Sequence, residues 1–226
     1  MKTAEEIFDE WAQRGRDKGM ESGHFPRAAQ LLSRMELNAG THVLDLGCGN
    51  GWAARWMLSQ SIAAKPPVQV TGVDLAKNMI AKARRHGDAR LQFIRASFSK
   101  LPFSNAKFEE IFSMEALYYA TDFDAALREI ARVLKPKGRL YVATDYYAEN
   151  PHCHSWPQEL DVKMTLLSAE EWVRHLEENG FAVSERFRCL DPRAVETTGQ
   201  SESERRAIED FRQRVGSLAL VAQKKA

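Results

Sequence analysis

The chain has 226 residues, enough for one α/β domain with a substantial core. Apolar residues make up 44% and charged residues 28%, and 32 Lys plus Arg face 31 Asp plus Glu. A net charge of +1 with no like-charge block argues against a nucleic-acid-tracking face or a polybasic membrane anchor. No apolar run reaches the length of a membrane span, and Met1–Glu6 lacks the apolar core of a signal peptide. Cys48, Cys153 and Cys189 are odd in number and widely spaced, so the sequence predicts free thiols and a cytoplasmic setting.

Two helical segments open the chain, Ala4–Arg16 and Phe25–Met35, read as an N-terminal cap within residues 1–38. The segment between them, Trp11 to Phe25, mixes an aromatic, arginines, glycines and His24. It reads either as a leader or as a lid in which Arg16, Met20 and His24 close a pocket. The first strand, Thr41–Leu46, runs into Gly47-Cys48-Gly49-Asn50-Gly51 and a helix at Trp52–Ser61. A strand, a glycine turn and a helix N-terminus together make an anion cradle, because bare glycine backbone and free N–H groups can approach a ligand.

Strand and helix then alternate. Val68–Asp74 is followed by a helix at Ala76–His86, then Leu91–Arg95 and Phe108–Met114. Phe123–Leu134 carries Ala126, Leu127, Ile130 and Val133 at helical spacing. Lys135-Pro136-Lys137-Gly138 reads as a turn into the strand Arg139–Asp145. A helix at Ala169–Glu178, stopped by Asn179-Gly180, precedes the strand Ala182–Cys189. The polar stretch Asp191–Arg205 reads as a loop, with a helix at Ser203–Val215 and a last strand at Ser217–Ala222. The expected fold is α/β, a Rossmann-like, mostly parallel seven-stranded sheet with helices on both faces. A single domain over 1–226 is expected, with a core at 41–145 and an elaboration at 146–226.

The glycine turn is not a dinucleotide fingerprint, because Trp52 stands where the third glycine would let helix and sheet pack closely. Nor is it a P-loop, since no Gly-Lys-Ser/Thr follows. Asp45-Leu46-Gly47-Cys48-Gly49-Asn50-Gly51 instead closely resembles motif I of class I S-adenosylmethionine-dependent methyltransferases. Later segments keep that family's register: Val73-Asp74, Leu101-Pro102-Phe103 and, with Lys137 in place of the first glycine, Leu134-Lys135-Pro136-Lys137-Gly138, while Ser113-Met114-Glu115-Ala116 is similar to the segment of ubiquinone-biosynthesis-type enzymes. The resemblance implies a last strand that runs antiparallel.

It also implies a donor site for S-adenosylmethionine built from Asp45, Gly47, Cys48, Gly49, Gly51, Asp74, Leu75, Met79, Ser97, Phe98 and Met114. Asp74 would accept the two ribose hydroxyls, and Leu75 and Met79 would cover the adenine. Ser97 stands where the family often has an acid. Rival readings stay open: Asp45 as a helix-capping acid, Cys48 as a small buried residue, Met79 and Phe98 as plain core. A base is needed only for a hydroxyl or protonated-amine acceptor, and His24, His152, His154 and Tyr118 are the candidates. The loop Asp145–Pro157 crowds His152, Cys153, His154 and aromatics together, and reads as an acceptor loop, a plain surface loop or a metal site. The spacing of the three is too tight for a zinc clamp, and no metal is expected.

The expected activity is methyl transfer to an N, O or C atom of a small molecule, without nucleic-acid or membrane partners, by a monomer or homodimer. The alternatives are a non-catalytic adenosyl-ligand binder and a thiol-dependent arsenite-type methyltransferase.

Overall fold

The computed structural model describes residues 1–195 and 199–225. Helices α1 (Ala4–Gln13) and α2 (Lys18–Leu32) lead into β1 (His42–Leu46), α3 (Trp52–Gln60), β2 (Gln69–Asp74), α4 (Lys77–Ala83) and β3 (Leu91–Arg95). The chain continues through β4 (Phe108–Met114), a 3₁₀ turn at Leu117–Tyr119, α5 (Phe123–Val133) and β5 (Leu134–Thr144). It closes with α6 (Trp156–Leu160), α7 (Ala169–Glu178), β6 (Phe181–Cys189), α8 (Glu202–Asp210), a π-helical turn at Phe211–Val215 and β7 (Ser217–Lys224). One seven-stranded sheet has the order β3-β2-β1-β4-β5-β7-β6. The pairs among β1 to β5 are parallel, and β7 runs antiparallel to both β5 and β6. This is the Rossmann-like sheet the sequence predicts, last strand included.

Period-two alternation assigns the two faces. Val43 packs with Val70, Phe112 and Tyr141, whereas Leu44 and Leu46 pack with Ile111 and Leu140 on the other side. On α5, Phe123, Ala126, Leu127, Ile130 and Val133 are all buried, and the Asp122 side chain accepts the Ala125 N–H (2.8 Å) to start the helix. Ser168 and Glu171 form a capping box at α7, which buries Trp172 edge-on to Phe123, with ring centroids 4.9 Å apart. Trp172 is fully enclosed. Trp172→Ala is therefore expected to cost about 3–5 kcal/mol of stability, read as a lower urea midpoint at unchanged slope.

Several boundaries differ from the sequence reading. Helix α2 starts at Lys18, seven residues before Phe25, and carries Pro26 inside it. Its early turns are too polar to show an apolar stripe. Strand β5 starts at Leu134, the expected helix end, and runs through the expected turn at Lys135–Gly138, because Leu134 already pairs with Phe108. The glycine-proline cluster there makes a β-bulge rather than a break, with Lys137 at φ 63. The short helix α6 replaces part of the expected Asp145–Pro157 loop. Within the polar stretch Asp191–Arg205, residues 196–198 lie outside the described residues, and α8 begins at Glu202. No helix among the described residues is long and apolar enough to cross a membrane.

Candidate functional site

The sheet order reverses between β1 and β4, and in open α/β sheets the crevice beyond the strand ends at that point is the place for a ligand. A cavity of about 340 Å³ lies there. Gly47 adopts φ 77, and a Cβ on it would stand 2.3 Å from the Ala116 side chain at the tip of β4. The close approach of these two strand tips thus requires glycine. The N–H groups of Gly47 and Cys48 are used within the fold, donating to the Val73 carbonyl (2.8 and 2.9 Å).

One end of the cavity is lined by Gly47, Gly49, Asp74, Leu75, Ser97 and Phe98, all expected from the sequence. Asp74 ends β2; its carboxylate accepts the N–H of Gly49 (2.9 Å) and of Ala76 (2.8 Å). Burial raises its pKa to about 6 against these donors. Leu75 is partly exposed at the cavity mouth, and the Phe98 ring reaches towards Gly47. Ser97 shares a hydroxyl–hydroxyl hydrogen bond with Ser99 (3.1 Å).

Asp45, Cys48, Gly51 and Met79 stand outside the cavity wall. Asp45 is buried behind the glycine turn, where its carboxylate accepts the Ala54 N–H (3.1 Å) in the first turn of α3. That is the helix-capping role, needed because Gly51, the N-cap residue, has no side chain to supply it. The Cys48 thiol is buried and its pKa is raised well above the usual range by burial. Met79 is fully enclosed beneath α1, packed with Ala12 and Ala76.

Burial raises Asp45 to about 7 and Asp74 to about 6. An acid whose folded pKa lies above its unfolded value binds more protons when folded, so stability falls as pH rises from about 4 to 7. The ligand-free chain is expected to melt at a higher temperature near pH 6 than near pH 8. Asp45→Asn, which keeps an acceptor for Ala54, should narrow that difference in a thermal melt.

Met114, Glu115, Ala116 and the turn residues Tyr118 and Tyr119 form the floor beside the glycines. Glu115 is a non-glycine residue at φ 53. Its carboxyl accepts the Tyr118 hydroxyl (2.9 Å) and the Asp145 N–H. Burial, then the neighbouring Asp145 charge, pushes Glu115 well above the usual carboxylate range. Burial likewise raises Tyr118, which stays a donor and is therefore no base at neutral pH. The sequence analysis did not single out Glu115; an acid directly after the apolar run of β4 was the available signal.

The cap supplies the roof. Phe8, Trp11, Arg16, Met20 and His24 line the cavity. Arg16 stacks over the Trp11 ring at 4.4 Å. Asp17 ties this segment down: Asn50 of the glycine turn donates to its backbone oxygen (3.2 Å) and carboxylate (3.3 Å), and Lys82 of α4 pairs with the same carboxylate. The Asp9 carboxylate accepts the Asn78 N–H (2.8 Å), and Glu5 pairs with Arg95. The Nδ1 of His24 is enclosed without a hydrogen-bond partner among the described residues. Burial lowers the His24 pKa, opposed by the Asp145 charge and assisted by Arg27.

His152 and His154 lie outside the cavity wall. His152 bonds Asp210 (2.9 Å) and His154 bonds the Ala148 carbonyl (2.9 Å). Of the Asp145–Pro157 loop only Trp156 reaches the cavity; Glu159 and Leu160 of α6 join it. All three cysteines are free and buried, and burial raises Cys153 and Cys189 to about 11. Three inert thiols outside the cavity wall do not make a thiol-dependent arsenic site. Among the described residues no His, Cys, Asp and Glu cluster able to hold a metal ion occurs.

Comparison with known proteins agrees with this geometry. Residues 44–142 match the family described as "Methyltransferase domain". An O-methyltransferase of Pyrenophora dematioidea is 34% identical over 73% of this chain and 61% of its own length. The O-methyltransferase resE of Aspergillus sclerotiorum is 32% identical over 77% of this chain and 67% of its own. The chain thus spans about three fifths to two thirds of the length of these curated relatives. A solved complex between the Haloferax volcanii Trm112 methyltransferase activator and a methyltransferase matches over the whole of both chains, with 35% identity and a TM-score of 0.87.

Proposed function

This chain belongs to the class I S-adenosylmethionine-dependent methyltransferases, and we propose that it methylates a hydroxyl group on a small, largely apolar acceptor. One observation carries the reading. The cavity is lined by a carboxylate at the end of β2, Asp74, and by an imidazole on α2, His24, whose Nδ1 has no partner, with Phe8 and Trp11 of the cap beside them. The O-methyltransferase activity of the fungal relatives supports oxygen as the accepting atom.

The cavity's chemistry fits the donor. Asp74 accepts from the two ribose hydroxyls. Leu75 and Phe98 take the adenine between them, with the Ser97 hydroxyl at its edge. Gly47 and Gly49 leave room beside the backbone for the methionyl chain, and Arg16 meets its carboxylate. S-adenosylmethionine, when bound, supplies a methyl group on a cationic sulfur that departs as a neutral thioether. The protein's part is alignment and proton handling. Phe8, Trp11 and Trp156 hold the apolar body of the acceptor and exclude water. His24, kept neutral by burial, takes the hydroxyl proton as the oxygen bonds to carbon.

In this reading residues 1–38 are the lid and 41–145 the donor core. The region 146–226 reaches the acceptor through α6 alone. A partner of the activator kind that accompanies the Haloferax methyltransferase belongs to the same reading. Incubation with methyl-labelled S-adenosylmethionine and fractionated metabolite extracts tests it. The expected product is a labelled methyl ether; label on nitrogen, carbon or sulfur alone would overturn the hydroxyl assignment.

A further inference from the structure

Glu115 holds a position that neither helix capping nor core packing explains. It is the residue immediately after β4, at the point where the sheet order reverses, and it lines the cavity beside Gly47 and Ala116. Its backbone is left-handed at φ 53, a conformation that strains a non-glycine residue. What the strain achieves is the placement of a carboxyl inside the cavity. The group is then locked there by the Tyr118 hydroxyl and the Asp145 N–H. No Lys, Arg or His side chain pairs with Glu115 among the described residues.

The surrounding charges are already committed elsewhere. Arg27 on α2 pairs with Asp145 (3.0 Å) and donates to the Ser217 hydroxyl (2.9 Å), which itself bonds Asp145. Tyr118 and Tyr119 from the 3₁₀ turn and Cys153 from the loop after β5 are protonated neighbours whose pKa values burial raises. His24, the titratable α2 residue that lines the cavity, has its pKa lowered by burial. Arg27 acts on Glu115 only through space, without an ion pair to it, and a buried carboxyl with two fixed donors and no paired cation among the described residues is a receptor for one.

The placement of the adenosyl half indicates which cation. With ribose on Asp74 at the tip of β2 and adenine against Phe98, a donor extends across the tips of β1 and β4, which brings its sulfur towards Gly47 and Glu115. We propose that Glu115 is the counter-charge for the sulfonium of the methyl donor, and so the residue by which this site tells the cationic donor from the neutral thioether product. The inference rests on the donor site proposed above and deepens it. Burial and the Asp145 charge raise the pKa of the carboxyl, against the Arg27 charge, which lowers it. Arrival of a positive charge favours the carboxylate, so donor binding releases the Glu115 proton to solvent, and loss of the charge on methyl transfer favours its return. The product then leaves a site that no longer attracts it.

The test is calorimetric titration of the whole chain near neutral pH, in two buffers of different ionisation heat. S-adenosylmethionine and S-adenosylhomocysteine are the two ligands; they share every charged group except the sulfonium. The expected result is close to one proton more released per S-adenosylmethionine than per S-adenosylhomocysteine. In Glu115→Gln that difference should vanish, and the preference for donor over product should fall by about tenfold. The wild-type proton count stands by itself if the variant folds poorly. Equal proton counts for both ligands in the wild type, or an undiminished difference in Glu115→Gln, would overturn the role of Glu115 while leaving the donor site intact. Binding of neither ligand would overturn the donor site and the inference together.

Discussion

Replacing Asp74 with Ala is expected to weaken S-adenosylmethionine binding by roughly a hundredfold. A hydrogen bond to a charged group contributes about 1.5–3 kcal/mol, and Asp74 is assigned two ribose hydroxyls, so a loss of about 3 kcal/mol is a conservative sum. The same carboxylate holds the N–H groups of Gly49 and Ala76, so the Ala variant also loosens the glycine turn. Asp74→Asn separates the two effects: it removes the charge, keeps one acceptor oxygen, and should cost about tenfold. A circular-dichroism melt alongside calorimetry establishes that both variants fold. The pH dependence has a definite sign. With its pKa raised to about 6, Asp74 is ionised at neutral pH and becomes protonated as pH falls through that value. Affinity for S-adenosylhomocysteine, which carries no sulfonium and so leaves Glu115 out of the balance, should therefore decline on acidification below about pH 6 in the wild type, and this limb should be absent in Asp74→Asn. Unchanged affinity in Asp74→Ala would remove the ribose assignment.

The second large effect is expected at His24. Its ring lies in the cavity with a buried nitrogen that has no partner, and burial keeps it neutral. His24→Gln preserves a polar side chain of similar reach but cannot take up a proton. Turnover of the labelled acceptor should fall by about 10²–10³ while donor affinity, measured separately, stays within about twofold. Wild-type kcat/KM should rise with pH through a pKa below the ordinary imidazole value, since the protonated ring cannot accept the hydroxyl proton. The variant should lose that limb. A drop in turnover with the pH profile intact would reassign His24 to positioning the acceptor. Equal loss of donor affinity would place it in the donor site instead.

The two ends of this site were unequally legible in the sequence. The end proposed for the donor is made by short stretches at strand tips: Gly47 and Gly49 after β1, Asp74 at the end of β2, Ser97 and Phe98 after β3. Each follows an apolar run whose end fixes its place, because parallel strands deliver their carboxyl ends to one edge of the sheet. Asp45, Cys48, Gly51 and Met79 are adjacent in sequence to those residues, yet their side chains or backbone serve the far side of the turn. Asp45 caps α3, and Met79 lies beneath α1. Strand alternation and helix rotation decide such matters within one residue, and a motif cannot report them.

The rest of the cavity wall is assembled from α1, α2, the tip of β4 and α6, which are distant in the chain. Among the His candidates, His24 reaches the cavity because α2 starts early, at Lys18, and is tied down through Asp17. His152 and His154 looked equally suited by residue type, but α6 turns Trp156, rather than either histidine, towards the cavity. The role proposed for Glu115 rests on its left-handed backbone and on its having no ion-pair partner among the described residues, both properties of the folded state.

One cavity, at the reversal point of the sheet, is proposed to hold the methyl donor with its reacting sulfur turned towards His24. Crystals grown with S-adenosylhomocysteine decide the placement. The expected density has the ribose hydroxyls on Asp74, the adenine between Leu75 and Phe98, and the sulfur beside Gly47 and Glu115, facing His24. Ligand density elsewhere on the chain, or an adenosyl group reversed so that its sulfur lies at Leu75, would contradict it.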